Sequence, residues 1–352
     1  YNFRIKLMLE VASLGYHVVA IAPRDKYSDK IIAHGIDYYP INTIRNDDNI
    51  ITDIQLIYNL YKLYKELNPI IIHHFTIKPV LYGSVAGKLA NIPSIINSVT
   101  GLGVAFIRPS LKRWLLCIFY YISHKSKRVH VIFQNSEDRY FFVKRKLIKE
   151  YQAHLILSSG VDLNKFRAHN KKDSHNLEHC TFLFLSRLLY EKGIIELVSA
   201  IELLVQKNNK VKLIIAGEVD PDNPRSIPRD WLNKKSKSSV INWLGFVEDV
   251  VELLSEVDVI VLPSYYGEGV PHSLIEAIAV GLPIITTDTP GCRLVVENNI
   301  NGFLIPTKDI NALFLAMEKL SYDKDLRKKF GNNSLLRAKE FDLEKINFQT
   351  IK

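Results

Sequence analysis

Cysteine and long apolar runs are scarce in this chain of 352 residues. The three cysteines, Cys117, Cys180 and Cys292, lie far apart and show no pairing pattern, so we expect reduced and mostly buried thiols. The longest apolar run in the first half, residues 114–122, is much shorter than the roughly 20 residues of a membrane-spanning helix. No signal peptide is visible. These features argue against a disulfide scaffold and favour a cytoplasmic globular protein.

Acidic residues are scarce in the first half of the chain. Residues 1–165 carry 22 Lys and Arg against 12 Asp and Glu, whereas the remaining residues carry 24 against 25. The formal net charge of +9 therefore comes wholly from the first half. Such an asymmetry predicts an anionic partner for that half, which is a membrane surface, a lipid diphosphate or a nucleic acid. The alternative is a lysine-rich surface that serves only solubility.

Short β-branched segments alternate with segments of helical period along the chain, and the alternation restarts near Thr181. This order predicts an α/β protein with two doubly wound, Rossmann-like domains that face each other across a cleft. We place the domains at residues 1–168 and 169–341, with a polar linker at 169–179. Residues 342–352 are expected to return to the first domain. That domain opens on a helix, so we also expect an initial strand to be missing.

The most informative stretch follows a buried strand predicted at residues 257–262. A glycine-containing loop leads there into a helix that starts near Pro271, which places backbone N–H groups above the carboxyl end of a strand. Such a position favours an anion, most often a phosphate. Glu268 lies in the loop and Glu276 lies in the helix, so both can face one ligand. We expect one to hold sugar hydroxyls and the other a ribose diol.

Three other predicted strand ends carry features suited to the same ligand. Arg187 and Lys192 follow the first strand of the second half, where both cations can converge on one diphosphate. Gly217 follows the second strand, and Gly245 with Phe246 follows the third. A basic pair in such a loop is by itself more often a solvated turn. The four strand ends together indicate a nucleotide site.

These residues carry a resemblance to a known family. The elements are Arg187, Lys192 with Gly193, the turn 244–246, Pro263 with Ser264, Glu268 and Glu276, Gly281 with Pro283, Gly291, and the segment 301–303. Together they resemble the family 4 retaining glycosyltransferases of GT-B fold over essentially the whole second half. In the first half, residues 74–79, 97–103 and 133–135 resemble a bacterial branch that acts on undecaprenyl-diphosphate-linked saccharides in surface polysaccharide or glycan assembly.

The resemblance implies a role for each candidate residue. Arg187 and Lys192 would bind the donor diphosphate and stabilise its departure, Glu268 would contact the donor sugar, and Glu276 would hold the ribose. The resemblance implies a nucleotide donor, most simply a UDP-sugar, a polyprenyl-diphosphate-linked acceptor, and no metal or other cofactor. The remaining donor-site candidates are Gly217, Gly245, Phe246, Gly269, Val270, Pro271 and Leu274. The acidic segment 220–222 formally matches a metal motif, but its proline-rich loop argues against one.

The acceptor candidates lie in the first half and are His74, Lys78, Thr100, Gly101 and Gly103. His73 and His74 end a predicted strand that should point into the cleft, and a satisfied structural histidine is the alternative for both. Lys78, just before a predicted helix, is the better candidate for the acceptor's diphosphate. The loop from Thr100 to Gly103 would let a ligand approach the backbone closely, although its glycines can simply serve a turn.

A predicted helix at residues 111–128 has basic ends and an aromatic, apolar middle. This pattern fits a helix that lies in the face of an anionic membrane, so we expect a peripheral protein at the inner face of the cell membrane. The alternative is a core helix with a basic rim. Two other functions also remain open, namely a UDP-sugar epimerase of the same fold and a nucleotide-binding or nucleic-acid-binding protein. We expect no nucleic acid, because the basic half lacks the interleaved aromatic and basic strand positions of a stacking platform.

Overall fold

The structure is a computed structural model that describes residues 3–41, 49–103, 106, 110–167, 179–207 and 210–352, with only the backbone of Lys112. The chain divides into two compact units. Unit 1 comprises Tyr1–Gly160 and Glu344–Lys352, and unit 2 comprises Val161–Leu343. The division thus falls a few residues before the predicted position at 168, and the last segment groups with unit 1. Most of the predicted linker at 169–179 lies outside the described residues.

Unit 1 alternates strands and helices. Its elements are α1 Ile5–Ser13, β1 Val19–Ala22, α2 Ser28–Ala33, β2 Asp37–Pro40, α3 Ile50–Leu67, β3 Ile71–Phe75, α4 Ser84–Leu89, β4 Ser94–Val99, α5 Leu111–His124, β5 Val129–Phe133, α6 Ser136–Lys144, β6 Ala153–Leu155 and α15 Leu343–Ile351. Among the described residues β1 pairs with β2, and a second sheet has the order β3-β4-β5-β6. Every pair is parallel, as the alternation predicts.

The β3–β4 pair positions several candidate residues of unit 1. Its register places His74 opposite Asn97 and Phe75 opposite Ser98. His73 and His74 therefore lie within the strand, which runs to Phe75, and do not end it as predicted. The helix predicted at 79–90 begins as a π-helical turn at Pro79–Gly83 and continues as α4. Successive side chains of β3 point to opposite faces, so His73 and His74 have different surroundings.

Unit 2 contains the remaining elements. They are α7 Leu163–Arg167, β7 Cys180–Leu185, α8 Ile194–Gln206, β8 Val211–Ala216, α9 Arg229–Lys235, β9 Ile241–Gly245, α10 Val250–Ser255, β10 Val259–Leu262, α11 His272–Ala279, β11 Ile284–Thr287, α12 Pro290–Val295, β12 Gly302–Ile305, α13 Ile310–Tyr322 and α14 Lys324–Ala338. The strands form one parallel sheet in the order β12-β11-β10-β7-β8-β9. Because helices cover both faces of such a sheet, every residue of β10 and β11 is buried.

The strand order reverses direction next to β7. From β7 the chain runs outward to β8 and β9 on one side, whereas β10, β11 and β12 lie on the other side. The carboxyl ends of β7 and β10 are therefore neighbours at the topological switch point of the sheet, with β10 paired to β7 through Val259 and Ile260. Ligands of open α/β sheets bind at such a point.

Candidate donor site

Two charged candidates from the two sides of the switch point are in direct contact. Lys192 ends a 3-10 turn at Tyr190–Lys192 after β7, and its Nζ donates to Oε1 of Glu268 in the loop after β10. The lysine and glutamate side chains are 7% and 13% exposed, so the ion pair is largely shielded from water. The Lys192 ammonium also lies 5.2 Å from the centroid of the Tyr266 ring. The sequence predicts that both residues bind the donor but does not predict that they bind each other.

Ser264 supports this pair and was absent from the predicted site, although it belongs to the motif. Its buried hydroxyl lies within hydrogen-bond distance of Glu268 Oε1, at 3.1 Å, and of the Glu191 carbonyl, at 3.3 Å. The Tyr265 N–H also donates to the Glu191 carbonyl, at 2.9 Å. The loop after β10 is therefore tied to the turn that carries Lys192. The sequence feature that could have identified Ser264 as a site residue is its position directly after an apolar strand.

Two glycines allow the backbone to approach closely at this site. Gly193 adopts a φ of +79°, and a Cβ there would lie 2.2 Å from the Pro263 carbonyl oxygen. A Cβ on Gly291, at the start of α12, would lie 1.4 Å from the carbonyl oxygen of Gly269. Any side chain at either position would displace the Lys192 turn or the Glu268 loop. These contacts explain why the motif has glycine at both positions.

Arg187 differs from Lys192 in its environment. It lies just beyond β7, it is exposed, and among the described residues its guanidinium has no ion-pair or hydrogen-bond partner. Its rigid fork of donors is therefore available to an anion above the strand ends. Of the two predicted diphosphate ligands, one is thus open to solvent and the other is held by a carboxylate.

Glu276 lies in the second turn of α11, and its carboxylate is 17% exposed. Its Oε1 is 3.0 Å from Nδ1 of His272, one turn earlier on the same helix face. Gly269, Pro271 and Leu274 are buried between the loop and the helix, and Val270 is half-buried. These residues shape the backbone around the carboxylates. His272 was not among the predicted site residues, although its spacing of four from Glu276 is a recognisable helical signal.

The ends of β8 and β9 are joined by hydrogen bonds. The N–H of Gly217 donates to the Gly245 carbonyl at 2.7 Å, and Trp243 Nε1 donates to the Gly217 carbonyl at 2.9 Å. Gly245 has a φ of +70° with open space where a Cβ would point, and the neighbouring Phe246 is 47% exposed. This edge therefore offers an open backbone position and an exposed aromatic ring, which suit a planar base.

His74 belongs to a closed polar network in unit 1. Its Nδ1 is 2.8 Å from Asn97 Oδ1, its Nε2 is 2.9 Å from the Tyr64 hydroxyl, and Ser84 donates to the same Asn97 oxygen at 3.1 Å. All four side chains are buried, and burial lowers the pKa of His74 to about 4. Both ring nitrogens are thus satisfied inside the protein. This favours the structural alternative for His74 over contact with an acceptor.

The other acceptor candidates have different surroundings. Lys78 Nζ donates to Asp53 Oδ1 at 3.1 Å, and the carboxylate also accepts from the Tyr82 hydroxyl at 2.6 Å, so the charge of Lys78 is already balanced. Thr100 is exposed just after β4, and Gly101 and Gly103 have φ values of +117° and +69°. These glycines give the loop a course that other residues rarely adopt.

Within the described ranges no cluster of three or more His, Cys, Asp or Glu side chains is arranged to hold a metal ion. Likewise, no helix of the described chain is long and apolar enough to cross a membrane.

Known proteins with similar sequences and folds show the class of enzyme to which this chain belongs. Residues 165–337 match the family described as Glycosyl transferases group 1, and residues 1–136 match Glycosyl transferase 4-like. A glycosyltransferase from Rickettsia africae superposes with a TM-score of 0.79 over 99% of this chain and 92% of that chain, at 19% identity. The protein is a glycosyltransferase of GT-B fold. The two matched regions together span most of the chain, and this class is the one that the motif resemblance predicts.

Two curated relatives are informative. The N,N'-diacetylbacillosaminyl-diphospho-undecaprenol alpha-1,3-N-acetylgalactosaminyltransferase of Campylobacter jejuni is 29% identical over 97% of this chain and 92% of its own length. The UDP-Gal:alpha-D-GlcNAc-diphosphoundecaprenol alpha-1,3-galactosyltransferase of Escherichia coli is 29% identical over 81% of this chain and 75% of its own length. Both names describe sugar transfer to a diphosphate-linked polyprenol saccharide.

Proposed function

We propose that this glycosyltransferase moves a hexose or N-acetylhexosamine from a UDP-sugar to a polyprenyl-diphosphate-linked saccharide, with retention at the anomeric carbon. The observation that carries the proposal is the Lys192–Glu268 ion pair at the β7/β10 switch point, with Arg187 just beyond β7 and Glu276 on α11, the helix that follows β10. Cations there suit a diphosphate, and carboxylates suit sugar hydroxyls. The two relatives described above act on substrates of the same kind.

At the donor, the reaction breaks the bond between the sugar and the β-phosphate, so negative charge develops on the departing UDP. Arg187 is exposed and ready to bind that charge. Lys192 reaches it by exchanging its contact with Glu268 for the phosphate. Lys192 lies in a largely shielded site, where a cation stabilises the leaving group more strongly than in water, which is a large term in such catalysis. No bound metal is needed for this step.

Glu268 and Glu276 position the donor and do not act as the acid and nucleophile pair of a hydrolase. Glu268, released from Lys192, accepts hydrogen bonds from the sugar, and Glu276 accepts them from the ribose. The backbone of Gly269, Val270 and Pro271 lines the sugar and phosphate, and Leu274 supports it from the core. Gly217, Gly245 and Phe246 hold the base. The acceptor hydroxyl attacks the anomeric carbon from the face that the phosphate leaves. The new glycosidic bond forms as the acceptor gives its proton to the departing phosphate oxygen, so the anomeric configuration is retained.

We propose that unit 1 binds the acceptor. It carries the basic excess of the chain, which matches a diphosphate and an anionic surface. The exposed Thr100 and the glycine loop after β4 give an acceptor access to backbone groups. Lys78 can contribute only by exchanging its contact with Asp53.

We further propose that α5 docks unit 1 on the cytoplasmic face of an anionic bilayer. Tyr120 faces the core at 3% exposure, whereas a broad apolar surface of the same helix remains open. Its exposed side chains are Leu111, Trp114, Leu115, Ile118, Phe119, Tyr121 and Ile122. The alternative of a core helix would bury them. Lys125, Lys127 and Arg128 follow directly and complement anionic headgroups, although Arg113 instead packs against Phe141.

A sedimentation assay tests the membrane proposal. The protein should cosediment with vesicles containing phosphatidylglycerol, and raised salt should release it. Trp114→Ser with Phe119→Ser should reduce binding at least tenfold, whereas Tyr322→Ser, which removes a 69% exposed aromatic from unit 2, should not. Binding that neither salt nor the double substitution affects would refute docking through α5.

A transfer assay tests the catalytic proposal. A panel of UDP-sugars is incubated with short-chain polyprenyl-diphosphate N-acetylglucosamine, and products are identified by mass and by the anomeric configuration of the new linkage. One sugar should be added with retention, and Arg187→Ala should abolish most of the rate. Conversion of the UDP-sugar without an acceptor would indicate an epimerase, and no conversion with any donor would refute the proposal.

A further inference from the structure

Arg4 stands out among the basic residues of unit 1. It directly precedes α1, and its guanidinium lies 4.1 Å from the centroid of the Phe75 ring. Arg4 is half-buried and has no carboxylate partner among the described residues, and burial lowers its pKa to about 10. Enclosing a cation without a counter-charge costs free energy. Such a group is expected where a ligand supplies the missing negative charge.

The residues around Arg4 form a small cluster, which we call the Arg4 cluster: Arg4, His73, Phe75 and Ser98. His73 and Phe75 are two apart on β3 and so share one face, and the register places Ser98 opposite Phe75 on β4. His73 Nε2 lies 2.8 Å from the Ser98 hydroxyl, and its ring centroid lies 4.2 Å from that of Phe75. The cluster therefore offers a guanidinium, an imidazole and a hydroxyl at the carboxyl ends of two parallel strands.

The charge state of the cluster suits an anion. Burial, followed by the nearby charge of Arg4 and by His74, lowers the pKa of His73 to about 3, so the imidazole is neutral at pH 7. Arg4 supplies the only formal charge in the cluster. Stacking of a guanidinium on an aromatic face leaves its edge free for paired hydrogen bonds to phosphate oxygens. Lys78, by contrast, is already balanced by Asp53.

We infer that the Arg4 cluster binds a diphosphate, with Arg4 as the charged contact and with His73 and Ser98 as hydrogen-bonding partners. The inference rests on the proposed function for the identity of this anion, which is the lipid-linked diphosphate of the acceptor. Unit 1 carries the basic excess, whereas the cations assigned to the donor diphosphate, Arg187 and Lys192, lie in unit 2. Arg4 is thus a specificity residue for acceptors that carry a diphosphate.

Binding measurements test the inference without requiring transfer. Geranyl diphosphate, geranyl monophosphate and UDP are titrated calorimetrically into the whole chain and into Arg4→Met, Arg4→Lys and a surface control, Arg24→Met. Arg24 is 70% exposed in a surface pair with Asp29. We expect Arg4→Met to weaken geranyl diphosphate binding at least tenfold and to leave UDP binding within twofold. Arg4→Lys should recover part of the affinity, and Arg24→Met should have no effect.

Stability separates a binding role from a structural one. If Arg4 awaits an anion, Arg4→Met should leave Tm unchanged or raise it, because an uncompensated cation is removed. A fall in Tm together with unaltered geranyl diphosphate affinity would overturn the inference. If Arg4→Met instead weakens UDP binding tenfold, the Arg4 cluster would still be a diphosphate site, but it would bind the donor and not the acceptor. Tight, Arg4-dependent geranyl diphosphate binding without any sugar transfer would support the site and refute the proposed function alone.

Discussion

The ammonium of Lys192 is paired with the carboxylate of Glu268, although 76 residues separate them in the chain. The pair joins the turn after β7 to the loop after β10 and is largely shielded from solvent. The cation that we assign to the diphosphate and the carboxylate that we assign to the sugar therefore neutralise each other. Under the proposed function, donor binding exchanges this contact for contacts with the ligand, and this exchange has measurable consequences.

Removal of Lys192 should affect stability as well as rate. Lys192→Met leaves the shielded Glu268 carboxylate without its ammonium, so we expect a loss of about 3 kcal/mol in the free energy of unfolding. Transfer should fall by about 10²–10³-fold. The double variant Lys192→Met with Glu268→Gln should recover most of the stability and none of the rate. Urea titrations followed by fluorescence check this, and a single variant as stable as the wild type would contradict it.

Glu268→Gln should separate diphosphate binding from transfer. The substitution removes the charge that neutralises Lys192, so calorimetry should show UDP binding several-fold more tightly. Transfer should nevertheless fall, because the contact to the sugar is weakened. Glu318→Gln, which alters an exposed pair with Lys207, is the control and should change neither quantity. Weaker UDP binding by Glu268→Gln would show that the pair does not compete with the diphosphate.

Gly291→Ala should displace the Glu268 loop. The added methyl group would lie 1.4 Å from the Gly269 carbonyl oxygen, which forces the backbone to move. We expect a loss of about 1–3 kcal/mol in stability and a fall in kcat/KM of tenfold or more. Gly35→Ala, where φ is +77° but no atom lies within 4 Å, should lose only about 1 kcal/mol through backbone strain and keep full activity. Equal activity of the two variants would argue against a role for this close approach.

Buried histidines should make the protein sensitive to mild acid. Burial lowers the pKa values of His73, His74 and His124 to about 3, 4 and 3. The pKa of each histidine is thus lower in the folded chain than in the unfolded chain, where it is about 6.5. Their contribution to the free energy of unfolding is therefore complete above pH 6.5 and is lost as the pH falls toward 4. Asp138 opposes them, because burial raises its pKa to about 6 and its contribution is lost as pH rises through 6.

Urea titrations between pH 7.5 and 4.5 check this balance. The free energy of unfolding should fall as pH decreases, by up to about 1.4 kcal/mol per pH unit for each histidine. His124→Phe should reduce the slope of the free energy of unfolding against pH by the amount that corresponds to one bound proton. His124 is 1% exposed and stacks on Tyr120, so the phenylalanine ring can replace it in the core. Stability that is constant down to pH 4.5 would be the contrary result.

The sequence predicts the elements of this fold well where burial alone determines them. The buried strand predicted at residues 257–262 ends where β10 ends, at Leu262, because a strand covered on both faces appears as a continuous β-branched run. Three short helices, α2, α7 and α9, were not predicted. Each is only a turn or two long, so its pattern contains too few periods to stand out.

The sequence predicts candidate residues of the donor site but not the contacts between them. Strand ends and glycines indicate Arg187, Lys192 and Glu268 as candidate neighbours of a ligand, and this assignment stays a prediction. The Lys192–Glu268 pair depends on the strand order β10-β7, which the order along the chain does not specify. Likewise, the hydrogen-bond network around His74 joins residues from four elements. Arg4 can be recognised as a candidate binding residue only when the fold places Phe75 and His73 beside it.

A calorimetric comparison of UDP with uridine tests the central claim that the β7/β10 switch point holds a nucleotide diphosphate. The two ligands differ only by the diphosphate, so the ratio of their Kd values isolates its contribution. Arg187→Ala, at an exposed side chain, should leave the fold and the uridine affinity intact and weaken UDP binding at least tenfold. Unchanged UDP affinity in Arg187→Ala, or wild-type protein that binds uridine and UDP equally, would contradict the claim.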